Sequence, residues 1–183
     1  MRTPSITIII LAGGKSTRMG QDKGLMEVAN RTMVEHVINA AKGITNSILI
    51  ITANQKYTTY NYPVYSDSIP EKGPLGGIYT GLLKSRTEKN LILSCDSPYI
   101  ESKMLNYIVE NSSECDLTIG TTEGKSQPLL GVYSKSCIPI IEKQLSENKL
   151  KISDLFEKVK TKLLPLDEFD SKNFLNLNSP SDL

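Results

Sequence analysis

The sequence predicts an α/β fold in three layers, a mostly parallel sheet with helices on both faces. Three observations carry this. Short apolar runs alternate with stretches of helical periodicity along the whole chain. Glycines and aspartates cluster just after those runs, where loops at the carboxyl rim of a parallel sheet belong. The length, 183 residues, suits one domain spanning 1–183 and is enough to bury a core.

The elements follow in order. Residues 6–11 are almost uniformly aliphatic and predict a buried first strand. Thr32 with Glu35 three residues on is a capping-box pattern. Met33, Val34, Val37, Ile38 and Ala41 then form one apolar helical face, with Gly43 as its stop. Residues 47–52 predict a second strand, and Val64 with Tyr65 a short third. Gly73-Pro74-Leu75-Gly76-Gly77 reads as a loop opening a helix that runs to about Arg86. Residues 91–95 form another buried run, ended by Asp96-Ser97-Pro98. A helix near 103–111 and strands at 116–120 and 129–133 follow. Residues 146–162, rich in Lys, Glu, Ser and Asn, predict a solvated helical excursion. Residues 166–170 read as a flexible link to the closing segment 173–183.

Composition narrows the function. A net charge of +1 argues against wholesale binding of nucleic acid, so any positive site is local. The longest apolar run is far short of the roughly 20 residues a membrane helix needs. The apolar run near the N-terminus enters a glycine loop without a small-residue cleavage pattern, and is read as a strand rather than a signal peptide. Cys95, Cys115 and Cys137 are widely spaced, and the single histidine, His36, has no partner cluster. That excludes a zinc site and a disulfide framework, and it suits a reducing cytoplasm.

Residues 11–24, Leu-Ala-Gly-Gly-Lys-Ser-Thr-Arg-Met-Gly-Gln-Asp-Lys-Gly, hold four glycines and three cations. Such a loop wraps a polyphosphate: glycines let the backbone approach, N–H groups point at oxygens, and Lys and Arg neutralise charge. A P-loop needs a glycine where Ile9 stands, so that motif fails. A dinucleotide fingerprint needs G-x-G-x-x-G, and the adjacency of Gly13 and Gly14 excludes it.

The loop resembles the L-A-G-G-x-S-x-R-M-G-x-D-K signature of molybdenum cofactor guanylyltransferases, a branch of the nucleotidyltransferase superfamily. Gly14 resembles this branch rather than its L-A-A-G relatives. The resemblance continues at Gly73-Pro74-Leu75-Gly76-Gly77, at Cys95-Asp96-Ser97-Pro98-Tyr99 and at Asn176-Leu177-Asn178-Ser179-Pro180, in the family's order and over nearly the whole chain. It implies a Rossmann-like nucleotidyltransferase fold. The implied enzyme transfers GMP from GTP to molybdopterin, forms the guanine dinucleotide of the cofactor and releases pyrophosphate, with Mg²⁺ required. By the same resemblance Leu11, Ala12, Gly13, Lys23, Thr52, Asp67 and Asp96 bind the nucleotide. Lys15, Arg18, Lys23 and Asp96 act in catalysis, and Asp96 holds the metal.

Several of these residues have other readings. Asp96 also fits a helix N-cap, and Asp67 a turn aspartate. Thr52 stands where family members often carry Asn, and Asn54, two residues on, offers a substitute amide. Gly76 and Gly77 fit either close approach to the nucleoside or helix packing. Asn176 and Asn178 match the family's molybdopterin side, and Lys125, Ser126 and Gln127 its second-substrate loop. The implied partners are GTP, molybdopterin and, transiently, cofactor-biosynthesis proteins and recipient molybdoenzymes, with no nucleic acid and no membrane. Two rival functions remain at this point: a transferase using CTP or another phosphate acceptor, and a non-catalytic module that delivers nucleotide or cofactor.

Overall fold

A computed structural model describes residues 5–13 and 22–177. Strands β1 (Ile6–Leu11), β4 (Ile48–Ile51), β5 (Val64–Tyr65), β6 (Lys89–Ser94), β7 (Leu117–Thr122), β8 (Lys125–Ser134) and β9 (Thr161–Pro165) form one sheet in the order β5-β4-β1-β6-β8-β7-β9. Strands β2 (Glu27–Val28) and β3 (Arg31–Thr32) make a separate antiparallel ribbon. Within the large sheet only β8 runs against its neighbours, β6 and β7. The sheet is thus mostly parallel, as the alternating pattern predicts.

Side-chain alternation sets the layers. Along β1, Ile6, Ile8 and Ile10 join a core with helices α1 (Met33–Lys42) and α3 (Ser102–Glu110). Ile9 and Leu11 point to the opposite face and pack with α2 (Gly73–Lys84) and α4 (Ile138–Ser146). A strand buried on both faces needs apolar residues at every position, and β1 has nearly that. In α1 the five expected apolar residues are all buried. At its start the Thr32 N–H donates to Glu35 Oε2 at 2.7 Å, half of the expected capping box. His36 Nε2 lies 2.8 Å from the Val28 carbonyl oxygen, so the lone histidine ties α1 to the ribbon. No helix among the described residues is long and apolar enough to cross a membrane.

Register brings three strand ends together. Leu11 pairs with Ile51 on one side and with Ser94 on the other. The next residues continue the contact: Ala12 N–H donates to Ile51 O at 2.9 Å and Cys95 N–H to Leu11 O at 3.1 Å. The glycine loop, the segment after β4 and Asp96 therefore leave the sheet side by side.

Four expectations are corrected. The glycine-rich stretch 73–77 is not a loop before α2 but its first turns, with Gly73 at φ 59° and Pro74 at the amino end. Residues 146–162 do not stay helical. They pass through a short 3₁₀ turn, Ile152–Leu155, and lead into edge strand β9. That strand buries only Leu164 and leaves Leu163 54% exposed, too weak an apolar signature to read. Residues 166–170 are no free link. Leu166 is fully buried, and its N–H donates to Thr121 O at 2.8 Å. Finally, Lys125, Ser126 and Gln127 belong to β8, paired with Thr122, Thr121 and Gly120. The reversal before them is the two-residue turn Glu123-Gly124, both at positive φ, the hairpin geometry that matches strand twist.

Candidate active site

Two cavities adjoin at the carboxyl rim. One, of about 470 Å³, is lined by Leu11, Gly13 and Ile51 from strand ends, by Asp67, by Gly73 and Gly77 of α2, and by Ser94 and Leu129. The other, of about 240 Å³, has Asp96, Ser97, Gln127, Asn173 and Asn176 on its walls. Ser94 and Leu129 border both. Sites at this rim are where open α/β sheets bind ligands, because loops fan out there around exposed strand ends.

The structure brings most of the sequence-derived candidates together. Leu11, Gly13, Asp67 and Gly77 meet in the larger cavity, and Asp96 stands in the smaller one. Ala12 is buried beside them, 6% exposed, with its N–H on Ile51 O. Lys23 is half-buried on the short 3₁₀ turn Lys23–Leu25. Lys15 and Arg18 lie outside the described residues, and so do Gly14 and Asn178-Ser179-Pro180. Gly77 keeps the larger cavity open, since a Cβ there would stand 3.2 Å from a Leu11 methyl and 3.6 Å from Asp67 Oδ1.

Asp67 lines the larger cavity. Its Oδ1 is buried and has no hydrogen-bond partner among the described residues. A buried carboxylate oxygen without a donor is costly. Desolvation raises its pKa above the ordinary 3.8. The folded state thus holds the proton more tightly than the unfolded chain. Stability from this group is full below pH 3.8 and is lost as pH rises through the folded-state value. Asp67→Asn is therefore expected to leave the melting temperature at neutral pH unchanged or higher, and to flatten its decline with rising pH in that window. Thermal melts of both proteins across that range check it, and a marked loss of stability in the variant would count against this account.

Asp96 is fixed from several sides. Ser94 Oγ donates to its Oδ1 at 2.6 Å, and its carbonyl oxygen accepts from Leu177 N–H at 3.0 Å. It does not cap α3, whose first residue is Ser102 with Glu101 before it. That removes the capping alternative. No cluster of three or more His, Cys, Asp or Glu suited to a metal exists among the described residues. Asp96 is a single carboxylate on the wall of the smaller cavity, and Mg²⁺ is a cation usually held through one or two protein carboxylates with water and phosphate oxygens completing its shell.

Thr52 and Asn54 are placed differently from expectation. Thr52 is 4% exposed and outside the walls of both cavities. Its hydroxyl accepts from Asn54 N–H at 3.1 Å, and its N–H donates to Tyr65 O. Asn54 does not offer a substitute amide to a base. Its Oδ1 accepts from Lys56 N–H at 3.0 Å and its Nδ2 donates to Asp22 Oδ2 at 2.8 Å. The side-chain partners of Asp22 were illegible in the sequence, since Asn54 and Tyr57 stand more than thirty residues away. Ser94 was equally illegible, standing one residue ahead of the Cys95-Asp96 motif. The three cysteines are free.

The chain matches the family model of the MobA-like NTP transferase domain over residues 8–162. A relative from Flavobacterium johnsoniae, named a probable molybdenum cofactor guanylyltransferase, is 41% identical over 180 residues, covering 98% of this chain and 95% of its own. One of the same name from Carboxydothermus hydrogenoformans is 36% identical over 97% of this chain and 93% of its own. Among solved structures, an Aquifex aeolicus protein superposes with a TM-score of 0.80 at 27% identity, over 94% and 93% of the two chains. Molybdopterin-guanine dinucleotide biosynthesis protein A from Archaeoglobus fulgidus does so with a TM-score of 0.81 at 21% identity, over 96% and 94%, a likeness of fold.

Proposed function

Because the chain belongs to the MobA-like NTP transferase family, we propose that it transfers GMP from GTP to molybdopterin and releases pyrophosphate. The observation that supports this best is the pair of adjoining cavities with Ser94 and Leu129 in common. Nucleotidyl transfer brings a donor and an acceptor together so that an acceptor phosphate reaches the α-phosphorus, and proximity supplies much of the rate. The glycine-loop cavity takes the nucleotide. The Asp96 cavity, with Asn173, Asn176 and Gln127 as polar walls, takes the acceptor.

Each residue then has a role. Leu11, Ala12 and Gly13 bring backbone to the nucleotide, and Asp67 Oδ1 accepts from an N–H or O–H of the nucleoside. Lys23 binds the nucleotide. Lys15 and Arg18 neutralise the β- and γ-phosphates and the departing pyrophosphate, where fixed positive charge stabilises the transition state. Asp96 holds Mg²⁺. When bound there, the ion would supply charge neutralisation for the phosphates. The acceptor phosphate is already largely ionised near neutral pH, so no side chain is assigned as base. The product is handed transiently to cofactor-biosynthesis proteins or recipient molybdoenzymes in the cytoplasm, a setting that three free cysteines suit.

Pyrophosphate release is measured with GTP or CTP in the presence of Mg²⁺ and molybdopterin. GTP is expected to support turnover. Release with CTP alone would overturn the base assignment, and release with neither would overturn the transferase reading. In the same assay Asp67→Asn is expected to raise KM for GTP about tenfold, the scale of one hydrogen bond to a charged group.

A further inference from the structure

Asp22 accepts three hydrogen bonds. Its Oδ1 accepts from Gly24 N–H at 3.1 Å and from the Tyr57 hydroxyl at 2.6 Å. Its Oδ2 accepts from Asn54 Nδ2 at 2.8 Å. The first of these bonds spans Lys23, and two main-chain bonds close the turn around it: Leu25 N–H to Asp22 O at 3.1 Å and Met26 N–H to Lys23 O at 3.0 Å. Below the turn, Gly24 is packed so closely that a Cβ would stand 2.3 Å from the Tyr57 hydroxyl and 3.0 Å from Cys95 Sγ. Cys95 is the neighbour of Asp96. Tyr57 and Asn54 come from the segment after β4, where the 3₁₀ helix Gln55–Tyr60 is itself tied to α1 through Tyr60 and Thr32, 2.9 Å apart. The bonds from Tyr57 and Asn54 to Asp22 thus clasp the Lys23 turn to the segment after β4, and Gly24 packs it against Cys95, the residue after β6. Burial holds the Tyr57 phenol far above its ordinary pKa, so it remains a donor.

We propose that Asp22, Tyr57 and Asn54 are positioning residues that set Lys23 in register with Asp96 for the nucleotide. The clasp builds the Lys23 turn before substrate arrives, so binding does not have to order it. Lys23 touches the nucleotide and the clasp does not. This inference rests on the nucleotidyltransferase reading above.

The test is a double-mutant cycle of Tyr57→Phe, which removes only the hydroxyl, with Lys23→Ala, read as kcat/KM for GTP. Each single variant is expected to fall about tenfold. In the Tyr57→Phe background Lys23→Ala is expected to cost less than about threefold more, because the misplaced lysine has little left to lose. Tyr60→Phe, on the same short helix but bonded to Thr32, is the control and leaves kcat/KM unchanged. Amide exchange at Gly24 quickens in Tyr57→Phe and not in Tyr60→Phe. Fully additive penalties, or an equal loss in Tyr60→Phe, would overturn the clasp as a positioning device while leaving the transferase reading intact. A wild-type protein that turns over no nucleotide overturns both.

Discussion

Asp96→Ala is expected to lower kcat for GMP transfer by about 10²–10³-fold, the usual cost of removing one preorganised group that stabilises transition-state charge. Nucleotidyl transfer leaves little covalent work to the protein, so positioning and charge neutralisation carry the rate. Asp96 is on the wall of the smaller cavity and bonded to Ser94, which borders both cavities. The substitution leaves its backbone bonds in place, including Leu177 N–H to the residue 96 carbonyl. The melting temperature should therefore move by less than about 4 °C, the scale of 1 kcal/mol in a domain of this size. Weak GTP binding should persist. Steady-state turnover, nucleotide titration and a thermal melt on one preparation separate these effects. Full turnover by the variant would remove Asp96 from the reaction, and loss of fold would make its role structural.

Gly131→Ala is expected to be the most damaging single methyl in the sheet. Gly131 lies on β8, paired with Ile92 of β6 and Ile119 of β7. An added Cβ would stand 2.5 Å from the Thr118 carbonyl oxygen and 2.8 Å from Ile119 Cδ1. The first of these is main chain in a neighbouring strand and has no rotamer to yield. Relief requires β7 and β8 to separate just beside the register shift at Ile119 and Gly120. Overpacking of this kind costs about 3 kcal/mol, which lowers the melting temperature by about 6–12 °C. Because Gln127, Leu129 and Leu130 of the same strand border the cavity proposed for the acceptor, KM for molybdopterin should also rise. An unchanged melting temperature would show that the strands yield freely there.

Strength of local signal decided what could be read. Residues 6–11 and 91–95 are buried on both faces and announce themselves as apolar runs, and α1 carries its own cap and face. β9 contributes one buried side chain to the edge of a sheet, and Leu166 looks like any leucine until it is seen against Gly120. The same division runs through the site. The glycine loop, Asp67 and Asp96 are short-range motifs, legible because each combines a strand end with chemistry that needs no partner to recognise. Asp22 stood in plain view within the motif, but its three donors come from residues 24, 54 and 57, and two of these are set by the fold.

By itself the sequence determined an α/β chain with a stretch of glycines and cations after its first strand, because hydrophobic periodicity and glycine-cation spacing are properties of neighbouring residues. It also determined which carboxylates follow strand ends. Only the tertiary structure decided that the two rim cavities share a wall, that Asn54 is bonded to Asp22, and that β8 reverses direction to bring Gln127 to the rim. These depend on register and contacts between segments brought together by the fold, where the energy of pairing is collective and leaves no mark on any one residue.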